Sequence, residues 1–118
     1  MDYSRLEAEK LGYIRAVHLF LINSQGQVFT PVRTANKTIA PGGFDYSAGG
    51  HVGSGESYTT SMLREAKEEL DLDITNEDLE PLSQGILEYI RYIHHTFVVH
   101  CDETPAYNPR DFVGAEWL

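Results

Sequence analysis

Apolar and polar positions alternate with a helical period in one stretch of the chain, residues 57–70. Within it, Met62, Leu63, Ala66 and Leu70 recur every three or four positions, as side chains on one face of an α-helix do. The residues between them are mostly polar or charged. The pattern therefore predicts a helix with one buried face.

The other apolar runs favour β-strands. Residues 14–23 are apolar along nearly their whole length, which is typical of a central strand. Residues 27–33 are expected to return as its hairpin partner, with Pro31 marking an edge or a break. Further strands are predicted over residues 45–48, 83–92, 96–101 and 112–118, the middle two forming a hairpin closed near residues 93–95. One helical turn is expected at residues 75–78.

The predicted helix also carries an acidic stripe. Glu65, Glu68 and Glu69 are adjacent or three to four positions apart, so a helix places them on one side. Lys67, the basic residue among them, lies on a different side. Carboxylates this crowded repel one another, and a hard divalent cation that takes oxygen ligands is their natural neutraliser.

Glycines gather directly before the helix, at Gly49, Gly50, Gly53 and Gly55. Glycine lets a backbone pass close to a ligand or a metal ion. We interpret this stretch as a glycine loop. The loop, the helix start and the acidic stripe together indicate a site for a metal ion and a diphosphate.

Composition narrows the class of protein. We expect the 118 residues to form one domain, residues 1–118. A net charge of −9 argues against a broad nucleic-acid or membrane-binding surface. The single cysteine, Cys101, fits a reducing compartment, and no apolar run approaches the ~20 residues that span a bilayer. A cytoplasmic protein without nucleic-acid or membrane partners is expected.

Residues 50–72 resemble the Nudix box, G-x5-E-x7-R-E-U-x-E-E-x-G-U, where U is a bulky apolar residue. The matching residues are Gly50, Glu56, Arg64, Glu65, Glu68, Glu69 and Leu72. Asp71 departs from the pattern, which has its second glycine there. On this resemblance the chain is identified as a member of the Nudix family.

The resemblance implies an α+β fold, an α/β/α sandwich around a mixed β-sheet. In that fold a second helix follows the strand that ends near Trp117, and we expect this C-terminal helix to be missing here. The resemblance also implies Mg²⁺ or Mn²⁺ as cofactor and a small-molecule diphosphate as substrate. A homodimer is left open.

Site residues follow from the same resemblance. The family's metal-binding positions correspond to Glu65, Glu68 and Glu69, with a backbone carbonyl supplied by Gly49 or its neighbour. The catalytic set comprises these three glutamates and Arg64, which would hold a carboxylate in place. Glu68 is either a third metal ligand or the group that orients the water. Glu56 would anchor the loop or reach the metal through water.

Residues upstream of the box resemble isopentenyl-diphosphate isomerase and its hydrolase-like relatives. They are Arg33, Lys37, Pro41, Gly42, Asp45 and residues 49–52. Because a diphosphate needs countercharge beyond the metal, Arg33, Lys37 and His51 are the expected substrate-binding residues. The isomerases carry a cysteine of their proton relay where this chain has Gly49.

Three functions are open at this point. The first is a metal-dependent pyrophosphohydrolase that cleaves a nucleoside diphosphate linked to another moiety, or a similar small diphosphate, by attack of water on phosphorus. The second is a Nudix domain that binds a nucleotide and regulates without turnover. The third is the isomerase, which Gly49 disfavours. Asp111 and Glu116 are candidates for a general base, and at most one of the adjacent His94 and His95 can face the site.

Overall fold

The computed structural model describes residues 10–33, 46–107, 109 and 112–118. Its strands and its helix are, in chain order, β1 (Ile14–Ile22), β2 (Phe29–Arg33), β3 (Ala48–His51), α1 (Tyr58–Leu70), β4 (Glu80–Leu87), β5 (Tyr92–His100) and β6 (Phe112–Trp117). Short 3₁₀ turns lie at Asn76–Asp78 and Glu88–Ile90. The first of them confirms the helical turn expected at residues 75–78.

The larger sheet has four strands in the order β3–β1–β5–β4. β5 runs parallel to β1, whereas β3 and β4 are antiparallel to their neighbours. The mixed sheet of the predicted α+β fold is therefore confirmed. β2 and β6 form a separate antiparallel pair, in which Pro31 lies opposite Ala115. A proline is tolerated in such an edge strand because its nitrogen, which has no hydrogen to donate, does not have to bond to a second neighbouring strand.

The hydrophobic core lies on the face of the larger sheet that α1 covers. Alternate residues of β1 point to opposite faces, and the fully buried Val17, Leu19 and Leu21 share one face. The other members of this cluster are Phe29, Ala48, Met62, Ala66, Leu70, Leu79, Phe97 and Val99. The predicted apolar face of the helix is confirmed, and its burial turns the acidic side of α1 towards the edge strand β3.

Both ends of α1 are capped. At the start, the Ser57 side chain accepts a hydrogen bond of 3.1 Å from the Thr60 N–H, a favourable N-cap. At the end, Asp71 adopts a left-handed conformation with φ 51°. Aspartate enters this region more readily than most residues, and the Lys67 ammonium lies 2.8 Å from its carboxylate. Asp71 therefore ends the helix in the conformation that favours glycine, where the box pattern has one.

The expected hairpin of β1 and β2 is wrong, because β2 pairs with β6 and meets β1 only through an isolated bridge between Ile22 and Val28. Several strand boundaries also differ from the sequence-based expectation. β3 covers Ala48–His51 rather than residues 45–48, so Gly49 and Gly50 belong to a strand and not to a loop. The hairpin of β4 and β5 forms, but it turns at Glu88–Ile90 and Arg91 instead of residues 93–95. Arg91 has a φ of 51° there, which is uncommon for arginine, so no glycine or asparagine marks the turn in the sequence.

Among the described residues, α1 is the only helix longer than a single turn. None of the helices in this part of the chain is long and apolar enough to cross a membrane.

Candidate functional site

Arg64 lies at the centre of a group of carboxylates. Its Nε and Nη2 donate to the two carboxylate oxygens of Glu56, at 3.0 and 2.9 Å, which is the two-point contact that arginine makes best. Its Nη1 donates to Glu65 at 3.0 Å and to Glu68 at 3.4 Å. One guanidinium thus connects the loop before α1 to two acidic residues of α1.

Glu56 is also fixed by its own turn. The Gly53 N–H donates to Glu56 Oε1 at 2.8 Å, and the Glu56 N–H donates back to the Gly53 carbonyl at 3.0 Å. A side chain at Gly53 would overlap the Glu56 carboxylate, and Gly55 has a φ of 84°, a conformation that glycine adopts freely. Both glycines are needed by the turn that presents Glu56.

These contacts keep the Glu56 carboxyl ionised. The hydrogen bond from Arg64 is the main cause, the Gly53 N–H adds to it, and together they lower the pKa of Glu56 from 4.5 to about 2. The same contact raises the pKa of Arg64. The pair is therefore charged at any pH at which the protein is expected to work.

The edge of β3 meets the acidic side of α1. The Gly49 N–H donates to Glu69 Oε2 at 3.2 Å, and the His51 carbonyl accepts from Arg64 Nη2 at 3.4 Å. The N–H and C=O of one strand residue point to the same side. The carbonyl of Gly49 therefore points to the same edge as its N–H, the edge that β1 does not occupy.

Gly50 allows the closest approach between strand and helix. It pairs with Val17 of β1, so the hydrogen that takes the place of a side chain points to the α1 side of the sheet. A Cβ at Gly50 would overlap the Glu65 carboxylate. Only glycine leaves room for Glu65 to lie against the backbone of β3.

The three glutamates of α1 differ in environment. The Glu65 side chain is only 12% exposed, and its burial raises the pKa of its carboxyl, with Glu68 adding to this effect and Arg64 and the contact with Glu69 opposing it. Glu68 is 58% exposed. Two carboxyl groups in contact, as in Glu65 and Glu69, are stable together only when a proton or a cation compensates their charge.

The chain matches the family model of the NUDIX domain over residues 12–118. It belongs to the Nudix family. It is 39% identical over 110 residues to a Nudix hydrolase of Deinococcus radiodurans, an alignment that covers 89% of this chain and 63% of that protein. A crystal structure of a D. radiodurans protein superposes with a TM-score of 0.79 at 38% identity, over 89% of this chain and 66% of that one.

A further relative is an isopentenyl-diphosphate Delta-isomerase of Photorhabdus laumondii. It is 32% identical over 106 residues, which are 82% of this chain and 58% of that protein. This chain therefore spans less than two thirds of the length of either curated relative named here.

The structure brings most of the Nudix box together. Six of its seven matched residues lie within the contacts above: Gly50, Glu56, Arg64, Glu65, Glu68 and Glu69. The seventh, Leu72, packs against the core just after α1. The box is thus one physical unit of strand edge, turn and helix.

Several of the predicted site residues lie away from Arg64 or outside the described residues. Lys37, Asp111 and the side chain of Arg33 are outside the described residues. His51 is exposed and, one position from Gly50, directs its side chain to the opposite face of the sheet. Its imidazole therefore does not point towards the carboxylates of α1. Glu116 lies in β6, in the other sheet, opposite Thr30.

The two adjacent histidines of β5 face opposite sides of the sheet, as expected. His95 stacks on Tyr58 of α1 at 3.5 Å between ring centroids. His94 lies on the other face, 6.2 Å from His18. The sequence pattern did not indicate any role for Arg15, a charged residue inside an apolar strand.

Nudix hydrolases work with a divalent metal ion, and the donors at this edge fit one. They are all oxygens, which suits a hard cation, and Glu65 and Glu69 already touch. Across residues 10–33, 46–107, 109 and 112–118, no three histidine, cysteine, aspartate or glutamate side chains are gathered as a metal cluster. The remaining positions would be filled by a carbonyl, by water or by substrate, as Mg²⁺ prefers.

Because of the Arg64–Glu56 pair, we expect part of the unfolding free energy to be lost in acid. Folding lowers the Glu56 pKa from 4.5 to about 2, so the stabilisation is complete above the unfolded pKa and is lost as the pH falls towards the folded one. Glu56→Gln cannot ionise. Its deficit in unfolding free energy relative to wild type should therefore be largest near neutral pH and should shrink below about pH 5.

Urea unfolding measured between neutral and acidic pH checks this expectation. Glu77→Gln, at an exposed residue of the Asn76–Asp78 turn, serves as the matched control for the loss of a glutamate carboxylate. A deficit for Glu56→Gln that is the same at every pH would contradict the assignment of the low pKa to Glu56.

Proposed function

We propose that this chain carries a pyrophosphohydrolase site that uses Mg²⁺ or Mn²⁺. Its substrate would be a nucleoside diphosphate linked to another moiety, or a similar small diphosphate. The observation that carries the proposal is the contact of one arginine, Arg64, with Glu56, Glu65 and Glu68 at the edge where Glu69 reaches Gly49.

In this proposal Glu65, Glu69 and the Gly49 carbonyl hold the metal ion. The Glu65 side chain is largely buried and Glu69 is already bonded to the strand, so both carboxylates are pre-positioned. The exposed Glu68 would be a third ligand or would orient the attacking water. When bound, a divalent ion neutralises the diphosphate and makes water a better nucleophile at phosphorus.

Arg64 would act by positioning and not by touching the substrate. Its Nε, Nη1 and Nη2 all donate to partners within the protein, at 2.9 to 3.4 Å. An arginine whose nitrogens are all engaged has little left for a phosphate. Its contribution is to hold Glu65 and Glu68 at fixed positions despite their mutual repulsion.

Positive side chains outside the acidic stripe would compensate the substrate charge that the metal ion does not neutralise. His51 borders a cleft of about 330 Å³ that Arg15, Val52 and Ser54 also line. Arg33 and Lys37 remain the proposed phosphate contacts from the upstream segment. Positive side chains near the site would matter because the whole chain has a net charge of −9.

The isomerase alternative meets a steric obstacle at Gly49. A Cβ added there would lie 2.9 Å from the Val17 carbonyl oxygen and 3.1 Å from His18 Nδ1. A cysteine at this position would require the backbone of β1 or the His18 ring to shift. The local backbone is thus built for glycine, and the relay cysteine of the isomerases has no place in this arrangement.

Replacing a proposed metal ligand should abolish turnover without unfolding the protein. We expect Glu65→Gln and Glu69→Gln each to lower kcat on the order of 10²-fold or more, because metal coordination contributes several kcal/mol to phosphoryl chemistry. Circular dichroism spectra should stay unchanged, since neither residue belongs to the apolar face of α1. Glu77→Gln is the control, and near-wild-type turnover in either variant would contradict the metal assignment.

The reaction itself is tested with a substrate panel. Purified protein with Mg²⁺ or Mn²⁺ should release phosphate products from at least one of a set of nucleotide sugars, dinucleotides and nucleoside triphosphates. It should not interconvert isopentenyl and dimethylallyl diphosphate, since that needs an acid–base pair around the hydrocarbon. Isomerised product above the no-enzyme background would overturn the hydrolase assignment. Nucleotide binding without any cleavage would favour the regulatory alternative.

A further inference from the structure

Arg15 is a buried charged residue in the strand that forms the centre of the core. Only 3% of it is exposed, and its neighbours in β1 on the same face are apolar. Burying a guanidinium is unfavourable unless its N–H groups find acceptors. The acceptors that it uses therefore indicate what it does.

The guanidinium of Arg15 bridges the two ends of the turn that presents Glu56. Its Nη1 donates to the Glu56 carbonyl and its Nη2 to the Gly53 carbonyl, each at 3.1 Å. The backbone carbonyl of Arg15 also accepts the Val52 N–H at 2.8 Å. Arg15 thus binds both Val52 and the turn from Gly53 to Glu56 that follows it.

Arg15 is connected to the start of α1 as well. Its guanidinium carbon lies 5.2 Å from the centre of the Tyr58 ring, and Tyr58 is the first residue of α1. The same ring also stacks on His95, at an interplanar angle of 1°. Arg15 therefore sits where sheet, turn and helix meet.

We propose that Arg15 is a positioning residue for the acidic site, an inference that rests on the proposed function in assigning the site its role. The turn contains Gly53 and Gly55, which leave its backbone conformationally free. Hydrogen bonds within the turn fix its shape but not its place relative to the sheet. The two bonds from Arg15 fix that place.

The effect of Arg15 reaches the carboxylates through two contacts. The turn places the Glu56 carboxylate, and Glu56 fixes Arg64 by two hydrogen bonds. Arg64 then sets the positions of Glu65 and Glu68. If the turn moves, the two-point contact of Arg64 with Glu56 opens and the acidic stripe loses its fixed geometry.

Two substitutions separate this role from a contribution to stability alone. Arg15→Met keeps most of the side-chain length but has no donor for either carbonyl. Arg15→Lys keeps the charge but lacks the planar fork that reaches two acceptors together. Arg91→Met is the matched control, because Arg91 also donates to a backbone carbonyl, that of Leu11 at 3.1 Å, away from the acidic stripe.

The primary readout is the Nε–H signal of Arg64 in a ¹⁵N–¹H NMR spectrum, assigned by its disappearance in Arg64→Lys. In the wild type this proton bonds to Glu56 and should exchange slowly with water. We expect the signal to move to the position of solvent-exposed arginines in Arg15→Met, and partly so in Arg15→Lys. Mn²⁺ affinity, measured by titration, should fall about tenfold or more in Arg15→Met. Arg91→Met should change neither.

The outcomes are distinguishable from those of the proposed function. A displaced Arg64 signal in a protein that cleaves no diphosphate would support the positioning role of Arg15 and contradict the hydrolase assignment. An Arg64 signal and a Mn²⁺ affinity unchanged in both Arg15 variants, with only a lower melting temperature, would overturn the positioning role. If Arg15→Met does not fold, Arg15→Lys decides by the same two measurements.

Discussion

The two-point contact between Arg64 and Glu56 determines how the acidic side of α1 is presented. Arg64 also donates to Glu65 and Glu68, whose carboxylates would otherwise repel each other. Because Arg64 is 37% exposed, solvent screens this ion pair, and it contributes less to the free energy of folding than the lowered pKa of Glu56 alone would indicate. Its importance is geometric, since it converts three separate carboxylates into one arrangement that a metal ion and a diphosphate can meet.

The arrangement also depends on how closely α1 approaches the edge of β3. Gly50 leaves room for the Glu65 carboxylate, and Gly49 offers its N–H to Glu69. Burial of Met62, Ala66 and Leu70 holds the helix at this distance. The core thus fixes the spacing, the glycines permit it, and Arg64 fixes the orientation of the carboxylates.

The parts that the sequence predicted are those with a local signal. The helical period of Met62, Ala66 and Leu70 identified α1 and placed the glutamates on another side. The position of β3 could not be predicted in this way, because pairing with β1 and not local propensity extends the strand through Gly49 and Gly50. Arg15 was missed for a related reason, since its acceptors at Gly53 and Glu56 lie 38 and 41 positions away.

The most direct test of this account is the melting temperature of the protein with Mg²⁺ or Mn²⁺ and a non-hydrolysable methylene diphosphonate. A ligand that binds only the folded chain stabilises it by mass action, so the melting temperature should rise with ligand concentration. The rise should be abolished in a variant that lacks both the Glu65 and Glu69 carboxylates. A wild-type melting temperature that does not respond to millimolar metal, with or without the diphosphonate, would contradict a metal–diphosphate site at the edge of β3.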